Sequence, residues 1–295
     1  MTLAPPEGGT VAAVAAFGLA GSCQSLPAGP LDAGGWDALV ETCVGEGLVG
    51  LLAAAVDTGA LPVVPDQRAS LVVPATEAID RDRAVARATV DVSARLRSAG
   101  VDHRVLDGPA VATRVFRDPQ RRPHASADVL VAPGAVATAR GLLDGAAGLV
   151  RVRDEALPSG VGGRVRLADV EGAPVPVTVD GADLPGLPLD ATFVAACARA
   201  AGGAPGLLAL RDVAQCALDE QLDPALVWDR AAAWRCTAVV AWAVGQAWET
   251  FELADKTELS VWAARYDPAP RSRVAALAHR VARAFQRRQP AEAAP

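Results

Sequence analysis

The residues of this chain whose types and spacing could do chemistry gather between Val101 and Val131. The stretch reads as strand, tight glycine turn, helix, loop and strand, and it carries Asp107, Gly108, Arg122, His124, Ser126 and Asp128. Asp128 is the central feature, a carboxylate set directly ahead of the apolar run Val129-Leu130-Val131. His124, in the loop before that strand, reads as an exposed loop histidine rather than a general base. His103 alternates with Val101 and Val105 and is expected to pack on a sheet. With His279 added, the three histidines have no metal-ligand spacing. Ser22 and Ser126 are hydroxyls without the Gly-x-Ser-x-Gly surroundings of an activated nucleophile. Gly160-Val161-Gly162-Gly163 precedes a strand-like run, so it reads as a hairpin loop rather than a phosphate cradle.

The totals set the frame for these residues. The chain has 295 residues, 51% of them hydrophobic, which is ample for a large core without staples. Aromatics are only 4% and alanine and valine dominate, so helices can pack closely. The net charge of −6 argues against nucleic acid as a partner. Cys23, Cys43, Cys197, Cys216 and Cys236 are scattered, with no Cys-x-x-Cys, and read as reduced thiols of a cytoplasmic protein. The apolar run 11–23 lacks a basic flank, so export is not expected, and no run is long enough to span a membrane.

The elements that must position Val101–Val131 are mostly helical. Helices are predicted at about 10–19, in two pieces over 31–59, and from 71 or just after Pro74 to 99, where Gly100 stops the last of them. Strands are predicted at 101–106 and 127–131, with a helix opened by Gly108-Pro109 between them. A helix from Pro133 to about 147 follows, then strands at 149–153, 164–170 and 175–179, the last two joined as a hairpin, and a linker at 184–188. Helices are then expected at 190–201, 206–219, 223–235, 237–254 and 271–288, with Trp228, Trp234, Trp242 and Trp248 in the core. The fold class is α+β: a small mixed sheet flanked by N-terminal helices and a C-terminal helical bundle. The expected regions are 1–99, 100–183 and 184–295. The run Arg271 to Arg288 reads as a basic amphipathic helix. It either packs on the body with its arginines solvated or docks on an acidic protein partner or anionic surface.

Three motifs in this order carry a resemblance. They are Leu106-Asp107-Gly108, then Phe116-Arg117-Asp118-Pro119, then Arg122-Pro123-His124-Ala125-Ser126-Ala127-Asp128-Val129-Leu130-Val131. Together they resemble the bacterial uncharacterised nucleotidyltransferase family of the polymerase-β-like superfamily, whose members read Leu-Lys-Gly, Tyr/Phe-x-Asp-Pro and Arg-Pro-x-x-Asp-x-Asp-Leu-Leu-Val. Leu210-Arg211-Asp212-Val213-Ala214 is similar to a helix of the same family, and the likeness extends from about Gly35 to Trp248.

The resemblance implies a nucleotidyltransferase-type sheet and a site for an NTP with Mg²⁺. Two carboxylates at alternate strand positions and a third from a neighbouring strand would hold the metal ions. It places Gly108, Ser126 and Arg122 at the nucleotide and Asp128 as the metal-binding catalytic carboxylate. This chain departs from the pattern at three positions: Ser126 replaces the first carboxylate, Asp107 replaces the lysine, and Pro176 falls where the third carboxylate is expected. Asp107 is a candidate relocated metal ligand. Asp169 and Glu171 could approach from the preceding strand, and Asp180 lies about 13 Å along from Pro176. The expected function is therefore a degenerate nucleotidyltransferase-like module that binds a nucleotide or a partner. The alternative is an active Mg²⁺-dependent enzyme moving NMP from an NTP to a small-molecule, peptide or protein acceptor.

Overall fold

Helix starts fall where the sequence supplies capping carboxylates and first-turn prolines. In the computed structural model, which describes residues 8–202 and 206–266, α1 (Gly8–Ala16) is followed by α2 (Ala33–Gly45), whose start is capped by Asp32 accepting the Gly35 N–H at 2.6 Å. After α3 (Val49–Asp57) comes α4 (Pro65–Ser98), 34 residues long. Its start is earlier than the sequence reading placed it. Pro65 supplies a pre-set first turn, and the Gln67 side chain accepts the Val64 N–H at 3.1 Å. Pro74 sits inside the helix, where it forfeits one backbone hydrogen bond without ending it.

The sheet is built from β1 (His103–Val105), β2 (Ala127–Val131), β3 (Val150–Arg153), β4 (Val175–Val179) and β5 (Ala182–Gly186). Their order is β3-β2-β1-β5-β4. β1 runs antiparallel to β2 and parallel to β5; β2 is parallel to β3, and β4 antiparallel to β5. Between β1 and β2 lies α5 (Pro109–Val115), with α6 (Val136–Gly141) after β2. The helix expected from Pro133 to 147 is thus shorter, a 3₁₀ turn leading into less than two α-turns.

Two further expectations fail for local reasons. Residues 164–170 do not form a strand. The Asp169 carboxylate accepts the Arg166 N–H at 2.7 Å and folds the segment into a 3₁₀ turn. The partner of β4 is instead β5, in the stretch read as a linker. Asp180 and Gly181, with φ of 47° and 78°, make the two-residue turn that closes this hairpin.

The remaining elements among the described residues are helices: α7 (Leu189–Ala201), α8 (Leu207–Ala217), α9 (Pro224–Ala233), α10 (Thr237–Thr250) and α11 (Glu258–Arg265). The last of these was not foreseen. Thr257 accepts the Ser260 N–H at its start. The basic run Arg271 to Arg288 lies outside the described residues.

One sheet face, with Val105, Val129, Val131, Val150 and Val177, packs on Val92 and Leu96 of α4 and on Ala139 of α6. On the other side, Leu106 and Leu130 join a core shared by the N-terminal helices and the C-terminal bundle. Trp234 is buried there, and Trp228, Trp242 and Trp248 pack against it half-buried. Cys43, Cys197, Cys216 and Cys236 are buried free thiols, and Cys23 is exposed. Burial pushes the Cys43 and Cys236 thiols up to about 12, so they stay protonated and unreactive. Among the described residues, no helix is long and apolar enough to cross a membrane.

Candidate functional site

Alternation along β2 decides which side chains can meet. Val129 and Val131 face α4, so Asp128 and Leu130 point to the opposite side. β3 obeys the same rule: Val150 and Val152 face α4, and Arg151 and Arg153 are thrown to the side of Asp128. The parallel register sets Asp128 directly beside Arg151. The Arg151 Nε donates to Asp128 Oδ1 at 2.6 Å, and an Arg153 Nη1 lies 3.8 Å from Oδ2. The carboxylate expected to hold a metal ion is therefore ion-paired to its neighbouring strand.

Beside it, the Leu106-Asp107-Gly108 turn is held by a second set of charges. Gly108 has φ +74°, ψ −128°, and a Cβ there would stand 2.8 Å from the Ser126 carbonyl oxygen. Only glycine lets β1 leave the sheet this close to β2. The Gly108 N–H donates to Asp107 Oδ1 at 2.7 Å, so the turn presents its amide to its own aspartate rather than to a phosphate. Asp107 also meets Arg122 at 3.0 Å and Arg199 of α7 at 3.3 Å.

Arg122, expected at the nucleotide, is buried and committed elsewhere. Its Nε and Nη2 donate to Asp212 Oδ1 and Oδ2 at 2.7 and 2.6 Å, a two-pronged pair that ties the loop before β2 to α8. This gives the Leu210-Arg211-Asp212 triplet a structural reading. Leu210 is core, Arg211 Nη1 donates to the carbonyls of Ala15 and Phe17 at 2.8 and 3.1 Å, and Asp212 anchors Arg122. Arg199 Nη2 is buried and makes no hydrogen bond among the described residues, although Asp212 Oδ2 lies 3.8 Å away. An unmet buried donor of this kind costs about 1–3 kcal/mol.

Burial alone would raise the Asp107 carboxyl, but the Arg199 and Arg122 guanidiniums and the Gly108 N–H outweigh it and hold the group at about 2. A folded pKa below the usual 3.8 adds stability that is present above that value and is lost as pH falls toward 2. The loss amounts to about 2 kcal/mol. Melting temperatures taken from pH 5 downward are expected to fall less steeply for Asp107→Asn than for the unaltered chain.

The pocket these groups line has a volume of about 310 Å³. Arg151, Arg153 and Arg199 line it together with Asp107 and Asp128, and Leu106, Ala156, Pro158 and Gly202 complete the wall. Ser126, half-buried, stands two residues before Asp128 on the same face. The other positions considered for a metal-binding carboxylate are not brought here. Pro176 is on β4, three strand steps from β2, or about 14 Å. Glu171 lies 3.6 Å from Arg230 of α9, and Asp169 caps its own turn. Among the described residues no three His, Cys, Asp or Glu side chains gather to hold a metal ion. A two-metal centre needs several carboxylate oxygens with open lone pairs, and this donor set does not fit one.

The histidines also find structural partners. His103 is buried on the sheet as expected, with Nε2 2.8 Å from Ser93 Oγ. His124 is buried, not exposed, because its Nδ1 lies 2.7 Å from Asp82 Oδ1 of α4. Sequence reasoning missed Arg151, Arg153, Arg199 and Asp82. For the first two a signal existed in the Val-Arg-Val-Arg alternation of the predicted strand 149–153, which puts two cations on one face.

Residues 32–159 match the model of a family described as uncharacterised nucleotidyltransferase. No curated protein and no solved structure matches the chain. The match ends before Arg199 and Asp212, short of the reach to Trp248 that the sequence motifs suggested.

Proposed function

We propose, for a chain whose residues 32–159 carry a nucleotidyltransferase-like sequence, that it is a binding module of that kind which has given up metal-dependent nucleotidyl transfer. The observation behind this reading is the 2.6 Å ion pair between Asp128 and Arg151. A carboxylate so paired has Oδ1 engaged and offers a divalent ion Oδ2 alone, 3.8 Å from an Arg153 guanidinium, and the guanidiniums beside it repel that ion. An active site would need Arg151 and Arg153 to leave Asp128 and a second carboxylate to arrive. The carboxylate nearest in the pocket, Asp107, is held by Arg122 and Arg199. What the arrangement retains is a pocket able to receive a ligand, nucleotide included.

The test does not require the acceptor to be known. Mn²⁺ binding to the full chain is measured by electron paramagnetic resonance with and without a non-hydrolysable NTP, together with pyrophosphate release and the intact mass of the chain after incubation with the four NTPs. The expected result is no saturable Mn²⁺ site below about 1 mM, an order-of-magnitude limit for a site of several carboxylates, no pyrophosphate and no added NMP. A Mn²⁺ site that Asp128→Ala removes, or pyrophosphate release that the same variant abolishes, would overturn the reading.

A further inference from the structure

Four arginines meet three aspartates around the pocket: Arg122, Arg151, Arg153 and Arg199 against Asp107, Asp128 and Asp212. Arg122 is consumed by its own pairs, which leaves three guanidiniums on the pocket wall. Their donors are far from spent. Arg151 gives Asp128 its Nε alone, and its side chain is 56% exposed, so both Nη groups remain for a ligand. Arg153 reaches Asp128 only at 3.8 Å, beyond hydrogen-bond distance. Arg199 lines the same pocket with a side chain 21% exposed, and it approaches Asp107 through Nε at 3.3 Å. Arg151 and Arg153, two residues apart on one strand face, stand about 7 Å apart at the backbone, and Arg199 of α7 lines the same pocket.

A guanidinium offers planar, forked donors that match phosphate oxygens, and three converging on one cavity make a site for a multiply charged anion. The rest of the wall, with Leu106, Ala156 and Pro158, carries no charge and suits the uncharged part of such a ligand. Resting on the reading above, we propose that this pocket binds a phosphate-bearing small molecule as the metal-free anion, with Arg151, Arg153 and Arg199 standing where a divalent ion would otherwise neutralise the phosphates.

Two consequences have the opposite sign from a metal-dependent site. Asp128 competes with the ligand for Arg151, so removing its charge strengthens binding. Mg²⁺ competes with the arginines for the phosphates, so adding it weakens binding. Calorimetric titration of the full chain in EDTA uses inorganic phosphate, pyrophosphate, tripolyphosphate and ATP, which separates a need for phosphates alone from a need for the nucleoside. Saturable binding of at least one of them is expected, tightened roughly tenfold in Asp128→Asn and weakened roughly tenfold or more in Arg151→Gln/Arg153→Gln, as loss or gain of one charge-assisted contact gives. The double variant changes two partly exposed side chains, and its thermal melt checks that it folds. ATP binding is expected to weaken on adding Mg²⁺. No binding of any of the four anions in EDTA, or binding indifferent to the two arginines, would overturn this proposal and leave the loss of transfer chemistry standing. Binding that requires Mg²⁺ and vanishes in Asp128→Asn would overturn both.

Discussion

Arg122→Ala is expected to destabilise the fold by about 3–5 kcal/mol, the range seen when one partner of a buried ion pair is removed. Arg122 and Asp212 are nearly inaccessible, with 6% and 2% of their side-chain surfaces exposed. Within the cluster, Arg122 and Arg199 balance Asp107 and Asp212. Deleting Arg122 leaves a buried net negative charge, with only the 3.8 Å contact of Arg199 for Asp212. Arg122→Lys is not expected to restore the loss, because an ammonium cannot give two parallel hydrogen bonds to one carboxylate while reaching Asp107. Arg122→Met combined with Asp212→Leu keeps the cluster neutral, since Arg199 and Asp107 remain paired at 3.3 Å. That double variant should lose less than the sum of its single changes, which urea unfolding midpoints will show. A loss under about 1 kcal/mol for Arg122→Ala, the scale of an exposed pair, would mean that the cluster is hydrated and not a buried tie.

Gly108→Ala is expected to cost about as much, about 3 kcal/mol or more, for a different reason. Its backbone, at φ +74° and ψ −128°, lies in a region that L side chains avoid. The added Cβ would also stand 2.8 Å from the Ser126 carbonyl oxygen and 3.0 Å from the Ala127 Cα. Both are backbone atoms of the neighbouring segment and cannot rotate away. Relief requires β1 and β2 to part at the point where Leu106 N–H donates to the Asp128 carbonyl at 2.8 Å. The measurement is the thermal midpoint of Gly108→Ala against Gly134→Ala, a control site where an added Cβ meets nothing within 4 Å. Equal midpoints would show that the turn is not confined.

Local chemistry was written in the chain wherever one residue and its near neighbours decide the outcome. Gly108-Pro109 opens α5 as read, Asp32 and Asp223 cap the helices that follow them, and alternation sets Asp128 in a buried strand. The same reading failed where two local signals compete. Pro74 looked like a helix boundary, but Pro65 and Gln67 had already set the start upstream. Residues 164–170 had strand-like apolar content, and Asp169 turned them into a 3₁₀ turn.

The stretch Val101–Val131 by itself determined that there is a strand–turn–helix–strand unit with one carboxylate in place of several, and hence the kind of protein this resembles. What that carboxylate does was decided by tertiary structure. Its partners come from β3, 23 residues on in the case of Arg151, and Asp107 and Arg122 find theirs on α7 and α8, with Arg122 and Asp212 90 residues apart. Strand alternation fixes which way a side chain points, but a charge's state depends on which other charges the fold brings within about 4 Å. That pairing sets Asp128 in a pocket lined by Arg151, Arg153 and Arg199.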